Sequence, residues 1–267
     1  MTLLQVLPMV FVLIELTLYT LLGGADLGTG VWQLLAGRGP RAARIRTYVY
    51  EAIGPIWEAN HVWLIAVLTI MWTCYPGAFG DIASTLVVPL FIAGIGIVLR
   101  GTTYAMHGAT RGPEDHREIT TLFGLSSVLT PFALGAAVGA IASGRVPVGD
   151  QPGGYLTWLN PTSVLVGVLA VLVGAFLAAV QLTASADRQA DWEMSRAFRR
   201  RALVSGLLAG AVALAGPFVA RHDAPDLYTG LLHGDGRAAV AVSALAGLVA
   251  LGLVLRRRAA LARYAAA

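Results

Sequence analysis

The 267-residue chain has no lysine; all nineteen of its basic residues are arginine. Without lysine there is no Schiff-base amine, which excludes a retinal pump and pyridoxal chemistry. A Walker phosphate loop is excluded too, because its grip on the phosphates needs the Lys. Cysteine is nearly absent. Cys74 alone leaves no intrachain disulfide, thiolate zinc cluster, iron–sulfur ligation or c-type haem attachment. Charge is scarce as well: 13% of residues are charged, against about 25% in a soluble domain. That excludes a disordered chain and argues against a soluble globular fold.

Apolar sequence fills the space that charge leaves. Hydrophobic residues make up 57% of the chain, and mean hydropathy is +0.70. Seven apolar stretches approach the ~20 residues that cross a bilayer as a helix. They are Leu3–Leu22, Ile53–Trp72, Ile82–Leu99, Ile119–Ser143, Thr162–Thr183, Ala202–Ala220 and Ala238–Leu255. The first has room to continue to Leu35. It has no basic flank before it and is too long for a signal peptide, so it reads as a true span. Pro161 suits the first turn of span five, while Pro89 and Pro131 fall inside spans three and four as tolerated kinks. The expected fold is an all-α integral membrane protein, one membrane domain over residues 1–267. Its first helical half is 1–143, a Gly/Pro-rich outer loop covers 144–160, and the second half is 161–267.

Arginine sets the orientation. Sixteen of the nineteen fall in alternate connections or the tail: Arg38, Arg41, Arg44 and Arg46; Arg100, Arg111 and Arg117; Arg188, Arg196, Arg199, Arg200 and Arg201; Arg256, Arg257, Arg258 and Arg263. The other connections hold only Arg145, Arg221 and Arg237. The positive-inside rule places the sixteen in the cytoplasm and the N-terminus outside. The basic pI of about 9.6 is then a topology signal, and no nucleic-acid partner is expected. The arginines orient helices and touch anionic lipid.

Ionisable groups at membrane depth are functional candidates by default. Glu15 lies in mid-span; its alternative is a protonated acid hydrogen-bonded to a neighbouring helix. Asp26 sits in Gly23-Gly24-Ala25-Asp26-Leu27-Gly28-Thr29-Gly30, whose glycines suit close helix packing. Packing alone does not call for an aspartate there. The densest polar cluster is Gly54-Pro55-Ile56-Trp57-Glu58-Ala59-Asn60-His61-Val62-Trp63. On a single helix Glu51 and Glu58 would share a face, with His61 beside Glu58. A carboxylate next to an imidazole at the inner mouth of a bundle suits proton uptake. Trp57 and Trp63 also fit an interfacial aromatic belt. Of the five histidines, His61 alone falls at depth, so no pair of axial haem ligands is visible.

These two clusters together resemble subunit II of cytochrome bd-type quinol oxidases. Gly24-Ala25-Asp26-Leu27-Gly28-Thr29-Gly30 is similar to that family's G-x-D-x-G-x-G stretch. Pro55-Ile56-Trp57-Glu58-Ala59-Asn60-His61-Val62-Trp63-Leu64-Ile65 is similar to its P-x-W-[DE]-x-N-x-V-W-L-I signature. Arg100, read at the inner end of span three, falls where the family places an arginine. Trp158-Leu159-Asn160-Pro161 resembles the start of its second half.

The resemblance implies a subunit of the bacterial plasma membrane with no cofactor of its own. Its partner would be a haem-bearing subunit I that holds haem b, haem d and the quinol site. The complex would oxidise quinol and reduce oxygen to water, and this chain would not act alone. The resemblance further implies that Glu58 serves a proton path from the cytoplasm, with Asp26 as the other buried acid. Asn60, His61 and Glu15 join them as candidate pathway groups. Gly24, Gly28, Gly30, Trp57, Trp63 and Arg100 are candidate structural residues. The family has two four-helix halves, so seven spans imply a second bundle lacking one helix, in a fragment or a shortened member. A small single-span subunit could fill the gap. The competing reading is a small multi-span proton-coupled transporter that uses the same acids.

Overall fold

A computed structural model describes residues 3–53, 56–107, 113–149, 154–234 and 236–266; side chains at 5, 53, 56–58, 104, 107 and 113–117 lie outside that description. The described residues form helices and their connections, with no strand.

The first span is longer than Leu3–Leu22. Helix α1 (Leu3–Leu18) passes through a π-helical turn, Tyr19–Gly23, straight into α2 (Gly24–Leu34). The glycines do not end it, because a backbone in hydrocarbon has no partner except its own helix. The wide turn falls where residue 23 has no side chain: a Cβ on Gly23 would lie 3.1 Å from the Tyr19 ring.

The arginine-rich stretch after it is a helix, not a loop. Helix α3 (Pro40–Ile53) buries Ala42, Ile45, Tyr48 and Val49 and exposes Arg41 and Arg44. Burial at 42, 45, 48 and 49 is the helical period, so the helix is amphipathic. Ile53 ends α3, and span two starts later than expected, as α4 (Ile56–Cys74). Glu51 is therefore on α3 and Glu58 on α4, and the two do not share one helix face. Gly54-Pro55 supplies between them the two residue types least suited to a helix interior.

After α4 the chain turns through 120° into α5 (Pro76–Thr85). Residue 75, before a proline, is steered away from helical backbone, and Tyr75 has φ −134°. Span three was expected over Ile82–Leu99, but the helix breaks at Leu86 and restarts as α6 (Val87–His107). Pro89 explains the break, since its ring would clash with the carbonyl of Thr85 in a continuous helix. Pro89 thus lies in a first turn rather than kinking a span. Pro131 does sit inside α7 (Pro113–Ala142).

Helix α8 (Pro161–Arg188) starts with Pro161 at its first position, and the Asn160 side chain accepts from Ser163 N. That is a standard N-cap. Helix α9 (Trp192–Asp223) begins ten residues before the expected Ala202. It carries Arg196, Arg199, Arg200 and Arg201, read from sequence as loop. Helices α10 (Pro225–Leu232), α11 (Gly236–Leu255) and α12 (Ala259–Ala266) follow.

Among the described residues, five helical runs are long and apolar enough to cross a membrane: Val6–Leu34, Glu118–Ala142, Pro161–Arg188, Trp192–Asp223 and Gly236–Leu255. The bent pair Ala59–Cys74 and Pro76–Thr85 makes a sixth if it is one span, and Val87–Thr103 is a shorter apolar helix. The seven apolar stretches thus resolve into five clear spans, one bent pair and one short helix.

Helix α8 is central, packing on α2, α7, α9 and α12. Small residues let it do so. A Cβ on Gly28 would lie 1.9 Å from the Gly174 carbonyl oxygen, so α2 and α8 meet backbone to backbone. One turn on, Trp32 Nε1 donates to the Ala175 carbonyl at 2.9 Å. Ion pairs tie both ends. At one end Arg44 on α3 grips Asp191 (2.9 Å) and Glu193, before and at the start of α9. At the other, Arg145 meets Asp223 at 2.6 Å. Asp223 Oδ2 also accepts from Thr162 N (3.0 Å) and Oγ1 (2.6 Å), capping α8.

Candidate functional site

The site is built around two groups that hydrocarbon would otherwise exclude. Asp26, in the first turn of α2, and Arg100, in α6, are both buried. Arg100 donates to Asp26 Oδ1 at 2.7 Å and to the Asp26 carbonyl at 2.8 Å. Its other arm donates to Ser127 Oγ of α7 at 2.5 Å, and its guanidinium lies 4.3 Å from the centre of the Phe123 ring. Arg100 is therefore no helix-end residue, as its place at the inner end of span three suggested; α6 runs on to His107. A guanidinium cannot lose its proton, so at this depth it needs an anion and further acceptors. It has both, plus an aromatic face.

The pair is not saturated. Asp26 Oδ2 and Arg100 Nε have no partner among the described residues. Beside them lies a cavity of about 100 Å³. Asp26, Thr29 and Ala25 line it from α2, Ala52 from the end of α3, Asn60 from α4, and Gln181, Ser185 and Arg188 from α8. Asn60 is buried and its side-chain amide donates to the Leu22 carbonyl at 3.3 Å, at the π-turn. Asp26 thus lines a water-sized space, and an acid so placed is a candidate for proton exchange with water.

The structure brings Asp26, Asn60 and Arg100 to one place. His61, next to Asn60, instead stands edge-on to the buried Tyr19 ring, with centroids 6.2 Å apart. Glu15 is one turn before Tyr19 on α1, away from the cavity lining; its buried Oε2 has no partner among the described residues. Trp63 is half-buried on α4 and does not line the cavity. The backbone of Glu58 and Trp57 is in the first turn of α4, but both side chains lie outside the described residues. Gly28 and Gly30 are contact points rather than ligands: Gly28 faces Gly174, and a Cβ on Gly30 would lie 2.0 Å from Ser127 Oγ. Gly24 is looser, with Leu177 at 3.9 Å. Among the described residues no three His, Cys, Asp or Glu side chains gather to hold a metal ion.

Sequence reading missed Ser127, Phe123 and the polar wall of α8. A signal existed for the first: Ser126 and Ser127 of α7 lie four and three residues before Thr130, which puts the three on one side of a helix, and all three are buried. On α3, burial pushes the Tyr48 hydroxyl above its usual pKa of 10.0. It donates at 3.1 Å to the carbonyl of Leu182, a cavity-lining residue, which ties α3 to α8.

The chain is similar to known proteins in sequence and in fold. A cytochrome bd ubiquinol oxidase subunit 2 of Bacillus subtilis is 25% identical over 158 residues, 57% of this chain and 45% of that protein. A putative cytochrome bd menaquinol oxidase subunit II of the same organism is 20% identical over 221 residues, 81% of this chain and 62% of that protein. The matches thus span about half to three fifths of these relatives' length. In fold, the chain matches a chain in the structure of bd oxidase from Geobacillus thermodenitrificans, with a TM-score of 0.77 at 23% identity. That match covers 99% of this chain and 82% of the other. The family described as cytochrome bd terminal oxidase subunit II matches residues 4–267. This chain belongs to that family.

Proposed function

We propose that the chain is the non-haem-ligating subunit of a quinol oxidase complex in the bacterial plasma membrane, and that it carries protons from the cytoplasm toward its partner. The observation that carries this reading is the buried Asp26–Arg100 pair, whose second carboxylate oxygen lacks a partner among the described residues and whose acid lines a cavity. It supports a carboxylate placed for proton exchange, since a merely structural pair has no use for an unpartnered oxygen. The names of the relatives supply the substrate class, a quinol, one carrying ubiquinol and the other menaquinol.

In this reading the N-terminus is extracytoplasmic and the arginine-rich end faces the cytoplasm. The membrane domain has two helical halves, 1–143 and 161–267, joined by the outer loop 144–160. Glu58 takes up protons at the start of α4, and Asn60 orients water in the cavity. Asp26 receives the proton while Arg100 holds its carboxylate in place. His61 and Glu15 form a side branch through Tyr19. A haem-bearing subunit I, with haem b and haem d, supplies the redox chemistry; a small single-span subunit and membrane lipid complete the assembly. Membership of the family displaces the proton-coupled transporter reading.

The test is Glu58→Gln in the assembled complex, with quinol-driven oxygen uptake and charge separation in proteoliposomes as readouts. Turnover falls by roughly 10²-fold or more where a proton relay is lost. Undiminished turnover and charge separation remove Glu58 from the mechanism.

A further inference from the structure

The cavity has a wall that no family motif supplied. Gln181, Ser185 and Arg188 of α8 line it, and their spacing of four and three residues puts them on one helix face. Thr183, on another face of the same helix, is 1% exposed. Gln181 stands seven residues before Arg188, roughly 10 Å deeper along the axis at ~1.5 Å per residue. It is nevertheless exposed, as is Leu22 across the cavity. Gln181 and Leu22 therefore stand at an exposed edge of the cavity, on helical runs long and apolar enough to cross a membrane, and that edge carries an amide that lipid cannot satisfy. At about 30 Å³ of liquid per water, the space holds several molecules. The partners they need line it: the Gln181 amide, the Ser185 hydroxyl and the Arg188 guanidinium on one wall, with Asp26 and Asn60 on the others.

We propose that Gln181, Ser185 and Arg188 hold a file of water that reaches Asp26, with Gln181 as the positioning residue at its exposed edge. This rests on the proton route above and adds to it a wall from the second half of the chain. The first half contributes the acid, and the second contributes the polar surface that keeps water beside it. Arg188, at the arginine-rich end, gives the cavity wall a positive potential.

The experiment uses the assembled oxidase in membrane vesicles, with the exposed Cys74 replaced by serine. Ser185→Cys and Thr183→Cys are compared for reaction with aqueous methanethiosulfonate reagents. Ser185→Cys reacts roughly tenfold faster or more, the contrast between a solvated and a packed thiol. Adding Arg188→Gln slows the anionic reagent and spares a neutral one. Equal, slow reaction at both positions means a dry cavity and overturns the proposal. This readout is independent of turnover, so a failed proton route would leave it standing. A second arm measures oxygen uptake. Gln181→Met lowers it about fivefold, close to 1 kcal/mol of barrier, and Gln181→Asn restores it to within about twofold, roughly 0.4 kcal/mol. Parental activity in Gln181→Met overturns the positioning role, whatever the labelling shows.

Discussion

Two ion pairs in this molecule have nearly the same length and opposite surroundings. Arg145–Asp223 is 2.6 Å long with side chains 37% and 13% exposed; Arg100–Asp26 is 2.7 Å long with 2% and 5% exposed. In the first, both carboxylate oxygens are taken, one by Arg145 and the other by the first turn of α8. That is a cap with a strut attached, and stability accounts for it. In the second, one carboxylate oxygen and one guanidinium nitrogen lack a partner among the described residues. A buried pair recovers its desolvation cost only when its remaining hydrogen-bonding groups are filled. Stability alone therefore leaves the arrangement at Asp26–Arg100 unaccounted for, and the proton exchange proposed above gives it a use.

The sharpest way to break this comparison is to remove one partner of the buried pair. Asp26→Asn leaves a cation that cannot neutralise itself, and costs about 3–5 kcal/mol. It is read as a fall in the thermal unfolding midpoint of the solubilised complex. Arg100→Met costs less, because the stranded carboxyl can take up a proton. Equal losses from the two would mean that protonation of Asp26 is not available. Next in size is the seam between α2 and α8. Gly28→Ala drives a methyl into the Gly174 carbonyl and costs about 1–3 kcal/mol. Gly94→Ala, with nothing within 4 Å, stays within about ±0.5 kcal/mol. Asp223→Ala removes one of the two side-chain acceptors that cap α8, leaving Asn160, and costs about 1–2 kcal/mol, with no change in the pH dependence of turnover. Arg44→Ala is smallest: its pair with Asp191 and Glu193 is half-exposed, is worth about 0–1 kcal/mol, and fades in salt.

The long apolar helices were legible because only a helix satisfies the backbone in hydrocarbon. What stayed hidden was helix made of charged sequence. Arg41 to Arg46 and Arg196 to Arg201 read as loop, because apolar run length marks only the part of a helix inside the bilayer. Helix α3 shows itself only through Ile45, Tyr48 and Val49, every third or fourth residue. The break at Leu86 was legible in Pro89 once the clash four residues back was considered. Asp26 was found by its depth, yet its partner was not, because Arg100 is 74 residues away and was counted with the topology arginines. An arginine that orients a helix and one that pairs a buried acid look alike in one dimension. The π-turn at Tyr19–Gly23 left no periodic trace, since it inserts a residue into an otherwise regular run.

The backbone seam between α2 and α8 has a consequence in time. Trp32 and the carbonyl it binds are 143 residues apart. At roughly 5–20 residues per second, the ribosome delivers α8 some 7–30 s after α2. For that interval the glycine face of α2 has no helix to meet, and Asp26 lacks the α8 side of its cavity. The first half is a nascent intermediate holding a charged pair in the bilayer before its cover arrives, and this is the stage at which a membrane chaperone or a lipid would have to shield it.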